Sequence, residues 1–398
     1  MIESIKLGDV ITDIAAGPFG SNLKVSCFVD DGFPIVDGAN LKGYKLTDNI
    51  TKFVTEEKAR SLHRSIAKKN DIVVTISGTV GQISYIPMDS KYEEYLCSQR
   101  QFRATFDTNR VYVPYLVFYF HTYEGKHKIL SFANQVGVPA LSQPLKNFRL
   151  IDIDLPEIET QRRIASIIEI INSRIENNDK INENLLQQAQ SVFTQEFLSL
   201  DSIPDGWQES SLLGIADYLN GLAMQKYRPK EDEQGLPVLK IKELRQGSCD
   251  SNSELCSPSI KPEYIVHDGD VIFSWSGSLL VDLWCGGTCG LNQHLFKVTS
   301  STYDKWFYYT WTNHHLQKFA AIAADMATTM GHIKREELAK AEVLIPSQSD
   351  YDRIGGLLAP LYDLVIANRI ENRKLASLRD ELLPQLMSGQ LDVSEVSL

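Results

Sequence analysis

Residues 155–190 read LPEIETQRRIASIIEIINSRIENNDKINENLLQQAQ, and residues 345–380 read IPSQSDYDRIGGLLAPLYDLVIANRIENRKLASLRD. The stretches lie 190 positions apart and share one pattern: Ile164, Ile168, Ile171 and Ile175 align with Ile354, Leu358, Leu361 and Val365, and Leu185 aligns with Leu375. The steps alternate four and three, which is the heptad seam of a coiled coil rather than the broader stripe of a surface helix. Asn178 and Asn182 interrupt the first seam where Asn368 and Asn372 interrupt the second. A seam asparagine costs stability but fixes register, because its amide needs a matching amide opposite. Two helices interrupted at the same depth are therefore expected to pair, with these four residues setting the coiled-coil register. Pro384 should kink or end the second helix near Leu383.

Outward from the helices, the preceding segments also repeat, more loosely. Phe33-Pro34-Ile35-Val36 corresponds to Leu236-Pro237-Val238-Leu239, residues 70–79 (NDIVVTISGT) to 269–278 (GDVIFSWSGS), and residues 98–103 (SQRQFR) to 292–297 (NQHLFK). Short β-branched and aromatic runs between turn residues read as strands, with helices near Val113–Leu130 and Tyr303–Ala324. The expected fold is α+β: two similar globular domains, 1–155 and 201–346, alternating with two long helices, 156–200 and 347–398. About 40 helical residues at 1.5 Å each reach roughly 60 Å. Antiparallel pairing would relate the domains by an approximate two-fold axis.

The 398 residues carry a net charge of −11 and 43% hydrophobic residues, an ordinary composition for a globular chain. No apolar run approaches the length of a membrane span and no secretory signal is visible, so the cytoplasm is expected. No phosphate-binding Walker loop, dinucleotide fingerprint, H-E-x-x-H or Asn/Asp-Pro-Pro-Tyr/Phe tetrapeptide occurs, so no active site is expected. Cys285 and Cys289 with Cys249 and Cys256 could be written as a zinc set, but the spacing is not a standard one and the first half has no equivalent; no metal is expected. The acidity places any nucleic-acid affinity on local faces.

Such faces recur in both halves. In the first, the loop Gly17-Pro18-Phe19-Gly20-Ser21-Asn22-Leu23-Lys24 offers Ser21, Asn22 and Lys24 to a phosphate. Its counterpart, residues 220–230, offers Gln225, Lys226, Arg228 and Lys230. Lys42 and Lys45 follow the first Pro-bearing strand; Lys240, Lys242 and Arg245 follow the second. Ser77 and Thr79 match Ser276 and Ser278. Gln99, Arg100 and Arg103, against Gln293, His294 and Lys297, are side chains able to read base edges. Donor-rich spots at matching places with different residues are what two readers on one scaffold require.

The loop 17–21 (GPFGS), the helix start Leu155-Pro156-Glu157…Gln161-Arg162-Arg163-Ile164, and the closing Leu382-Leu383-Pro384-Gln385-Leu386-Met387-Ser388-Gly389 resemble the specificity subunit of type I restriction–modification systems, over essentially the whole chain. The second helix departs, with Tyr351-Asp352-Arg353-Ile354 where a Gln-x-x-Ile start is usual. The resemblance implies a non-catalytic DNA-recognition subunit. Each domain would read half of a bipartite site, and the helices would set the unread spacer. It also implies two adenine-N6 methyltransferase subunits using S-adenosylmethionine, and a translocating nuclease subunit using ATP and Mg for restriction. Two rival readings stand: the specificity subunit of a related, non-type-I system, and a scaffold whose helical arms assemble proteins without reading DNA.

Overall fold

The structure is a computed structural model that describes residues 2–134, 139–325 and 333–393. It divides into two compact units, residues 1–172 with 377–398 and residues 173–376, so the division cuts through both long helices rather than at the domain ends expected from sequence.

In the first unit, Ile2–Lys6 pairs antiparallel with Asp152–Pro156, the strand that leads into the first long helix. A four-stranded antiparallel sheet follows the order Ile11–Ala16, Gln101–Phe106, Ile72–Thr75, Ile83–Tyr85. A second sheet carries Phe33–Val36 parallel to Glu94–Cys97, flanked by Phe53–Val54 and Ile66–Lys68. The apolar stretch expected as one helix is two, Val113–His121 and Tyr123–Leu130. Thr122 makes the break, donating its hydroxyl to the Tyr119 carbonyl and accepting the Gly125 N–H.

The second unit repeats this plan: Gln208–Ser211 pairs with Glu342–Ile345. A four-stranded sheet follows the order Asp217–Asn220, Leu295–Thr299, Val271–Ser274, Leu280–Leu283. Leu236–Leu239 runs parallel to Cys289–Leu291, with Leu255–Cys256 and Ile265–Val266 on their outer sides. Each stretch matched between the halves lands on the corresponding strand. The helices Lys305–His314 and Leu316–Asp325 bring an aromatic core of Trp306, Phe307, Tyr309, Trp311 and Phe319.

The first long helix spans Ile158–Phe193 and continues as a π-helical turn, Thr194–Leu198, whose Phe197 packs tilted against Trp207 and edge-on against Trp311. The second spans Gln348–Ser388. It continues past Pro384, so of the two expected outcomes, a kink or an end, the helix does not end there. Proline removes one backbone hydrogen bond, and Leu383 and Leu386, on either side of it, are both almost fully buried.

Within the second unit the long helices run antiparallel. Asn178 donates its amide to Asn372 at 2.8 Å, and Asn368 donates to Asn182 at 2.9 Å. Farther along, Arg353 forms two bonds with Glu196, and Arg174 pairs with Glu371 at 3.2 Å. The four asparagines thus meet as two crossed amide pairs. Within the first unit Asn172 accepts from Arg379 at 3.1 Å, and the Arg379 guanidinium lies over the Tyr44 ring.

The helix starts are docked by one device in two chemistries. Gln161 is fully buried; its amide oxygen accepts the Tyr112 N–H, and its NH₂ donates to the Arg110 and Pro156 carbonyls, all at 2.8 Å. Tyr112 precedes the helix Val113–His121. The aligned residue in the second half is Tyr351, whose hydroxyl accepts the Asp304 N–H at 2.8 Å, and Asp304 precedes the aligned helix Lys305–His314. The departure from Gln at Tyr351 keeps the docking bond and changes the side chain that makes it.

Candidate nucleic-acid interface

Antiparallel register decides where the candidate loops go. In the first sheet Ala16 lies opposite Phe102 and Gln101 opposite Thr75. The end of one strand, the start of the next and the end of a third therefore sit at one edge. Three loops must leave from it: 17–24, 76–79 and 98–100. The backbone ties them together, with Gly17 N–H to the Gln101 carbonyl and Ile76 N–H to the Arg100 carbonyl, both 2.7 Å. Gly17 is required here: a Cβ would stand 1.8 Å from the Ser98 carbonyl oxygen. Beneath the loops a buried amide and hydroxyl set is satisfied internally, Ser98 donating to Gln101 Oε1 and Thr75 donating to Gln82 Oε1 at 3.2 Å.

Two clefts of about 630 and 720 Å³ open over this edge. Ser77, Gln99 and Arg100 line both; Thr79 joins the first, and Asn22, His63 and Arg64 join the second. Arg64 and His63, exposed on the turn before Ile66–Lys68, were not singled out from sequence, because nothing in a local pattern says that this turn folds beside loop 17–22. Asp37 and Lys52 close the first cleft at 2.6 Å; burial pushes the Asp37 carboxyl up, and Lys52 with the Ala39 N–H outweighs it, so its pKa is lowered. Ser21, Asn22, Lys24, Thr79, Gln99 and Arg100 are exposed, and Ser77 is half-buried.

The second domain repeats the edge: Gly221 N–H reaches the Leu295 carbonyl at 3.0 Å, and a Cβ on Gly221 would stand 2.3 Å from the Asn292 carbonyl oxygen. Over it lie Gln293 and His294, with Trp275 donating to Asn220 at 3.1 Å. Trp275 is a further residue of this edge that the sequence reading passed over. Gln225, Lys226, Arg228, Lys230 and Arg245 are exposed, and Ser278 is half-buried. Arg228 and Lys240 both pair with Glu254, and Lys242 pairs with Asp250 at 3.4 Å.

Four expectations are corrected. Arg103 is 8% exposed, bonded to Asp13 at 2.6 Å and to the Arg64 carbonyl. Lys297, at the aligned position, bonds Asp270 at 2.8 Å and the Ile265 carbonyl at 2.9 Å. Two residues into its strand, each cation faces into the sheet and balances a carboxylate rather than facing solvent. The guanidinium of Arg103 holds the Asp13 carboxyl below its ordinary pKa. Ser276 is buried and hydrogen-bonds His294 Nδ1 at 3.2 Å, so it positions that ring instead of offering a donor. Lys45 bridges to Tyr85, at the opposite end of Ile72–Thr75 from the loop edge, and its charge acts on Glu169 of the long helix. Lys42, exposed, shares that segment. Among the described residues no three metal-ligating side chains stand together. Among the described residues no helix is long and apolar enough to cross a membrane.

The chain thus carries one donor-lined sheet edge twice, on two α+β domains that alternate with two long helices. The profile of the type I restriction modification DNA specificity domain matches twice, over residues 3–187 and 204–378, and the chain belongs to that family. It is 22% identical over 365 residues to the type I restriction enzyme MjaIX specificity subunit of Methanocaldococcus jannaschii, covering 86% of this chain and 82% of that one. It is 17% identical over 317 residues to the HindI specificity subunit of Haemophilus influenzae, covering 61% of this chain and 69% of the other. The crystal structure of a type I restriction–modification S subunit from M. genitalium superposes with a TM-score of 0.58 at 13% identity, covering 97% of this chain and 96% of that one, which establishes a shared fold.

Proposed function

We propose that this chain reads a two-part DNA sequence, one half through the edge formed by loops 17–24, 76–79 and 98–100 and the other through its counterpart around Gly221, Trp275 and His294. The observation that carries this reading is the double occurrence of one glycine-pinned junction with different side chains over it. Conserved geometry presents the donors, and the changed side chains change what is read. The two long helices set the length of DNA left unread between the half-sites. Two adenine-N6 methyltransferase subunits carrying S-adenosylmethionine supply the chemistry, and a translocating nuclease subunit using ATP and Mg adds cleavage. Chain acidity fits this division of labour, since the partner subunits supply further positive surface to the DNA. The test is co-expression with an adjacent methyltransferase and mapping of modified adenines across a plasmid of random sequence. Methylation at a single two-part sequence with a fixed gap is expected. Association without any methylated site, or no association, would refute the reading.

A further inference from the structure

Phe19 is 83% exposed and makes no ring contact among the described residues. An aromatic side chain so exposed is usually on a mobile segment, but this one is held. Gly17 is tied to Gln101, the Asn22 N–H closes a turn onto the Phe19 carbonyl at 2.8 Å, and Leu23 is buried in the core with Phe33 and Ile35. Gly20 lies so close to the Gln99 side chain that a Cβ would stand 2.5 Å from Oε1. The ring therefore projects from a fixed turn. It borders a cleft that also carries Asn22, His63, Arg64, Gln99 and Arg100, and none of the residues lining that cleft is acidic. In the second domain the aligned position is Ala223, half-buried.

We infer that Phe19 is an aromatic wedge that enters the DNA at a base step of the first half-site, unstacking it while the flanking cations hold the backbone. The inference rests on the DNA-recognition role proposed above. An apolar side chain on a pinned turn, surrounded by donors and cations, matches the way proteins kink a duplex: the ring replaces a base as stacking partner, and flexible pyrimidine–purine steps yield most readily. The first domain would then read part of its site through deformability, at a step no side chain contacts by hydrogen bond.

The test uses the complex of this chain with its methyltransferase subunits and duplexes carrying 2-aminopurine at successive positions of the mapped first half-site. Apart from the methylated adenine, which the methyltransferase itself unstacks, binding is expected to raise the fluorescence at one step. Phe19→Ala should abolish that rise and weaken specific binding about tenfold, the scale of losing one base–aromatic stack. It should leave the salt dependence and thermal midpoint unchanged, since the ring carries no charge and is 83% exposed. Phe19→Trp should retain the signal. A rise at that step that survives Phe19→Ala, or its absence from a wild-type complex that methylates its two-part site, overturns the wedge. A wild-type complex with no sequence preference overturns the recognition role beneath it.

Discussion

The pair Asn182–Asn368 gives a sharp test of how the helices are registered. Both residues are over nine-tenths buried, and Asn368 donates to Asn182 Oδ1 at 2.9 Å, while the Asn182 NH₂ is buried without a partner among the described residues. Asn368→Leu removes that bond and leaves the whole Asn182 amide facing a hydrocarbon. An unsatisfied buried polar group costs about 1–3 kcal/mol, part of which the added leucine surface offsets. Each single leucine variant is therefore expected to lose about 1 kcal/mol or more. In the double variant Asn182→Leu/Asn368→Leu no unpaired amide remains, and stability should return to the wild-type level or above. For a unit the size of Ser173–Ala376, 1 kcal/mol moves the thermal midpoint about 2–4 °C. A double-mutant cycle in calorimetry, with far-UV circular dichroism to confirm helix content, measures the coupling. Additive single effects would refute the reasoning. Asn178→Leu with Asn368→Leu is the contrasting control, since it mismatches both pairs at once and should disturb assembly or methylation spacing.

Charge reversal of Lys226 and Lys230, both exposed, should weaken DNA binding by the assembled complex and lower the slope of log K against log salt by roughly 2; binding that is unchanged and insensitive to salt removes this loop from the interface. Gln161→Leu strands the Tyr112 N–H and the Arg110 and Pro156 carbonyls, at about 1–3 kcal/mol for each group that stays buried, whereas Tyr351→Phe loses a hydroxyl that accepts the Asp304 N–H and donates to the Asp304 carboxylate, and should cost less; equal midpoints in thermal melts would contradict the docking role. Burial lowers the pKa of His121, His314 and His315 below the ordinary 6.5. The unfolded chain then binds more protons between the folded pKa values and 6.5, so stability should fall as pH drops through 6.5, and melts from pH 7.5 to 5.5 that show no loss would contradict it. His315 hydrogen-bonds the Glu342 carbonyl at 2.8 Å, and His315→Gln, which keeps a donor there, should flatten part of that pH dependence.

The repeat, the two long helices and the paired interruptions were legible in the sequence because each rests on periodicity, and periodicity survives without knowledge of the partner surface. The candidate interface was legible in part. The Gly-rich loop, Ser77, Thr79, Gln99 and Arg100 were found as strand-end residues, and antiparallel register gathers strand ends. Arg103 and Lys297 were misplaced for a reason the same pattern hides. A cation in a strand near its end reads as an exposed donor until the aspartate that neutralises it, Asp13 or Asp270, is seen beside it.

Sequence by itself determined the α+β duplication, the heptad seam and the asparagines at equal depth, since these follow from residue type and spacing along one chain. Tertiary structure alone decided which amides pair, which cations are already neutralised, that Tyr351 does the work of Gln161, and that Arg64, His63 and Trp275 stand beside the loops at the sheet edges. The physical reason is that these depend on contacts between residues far apart in the chain, where packing and desolvation choose the partner and no local pattern records the choice.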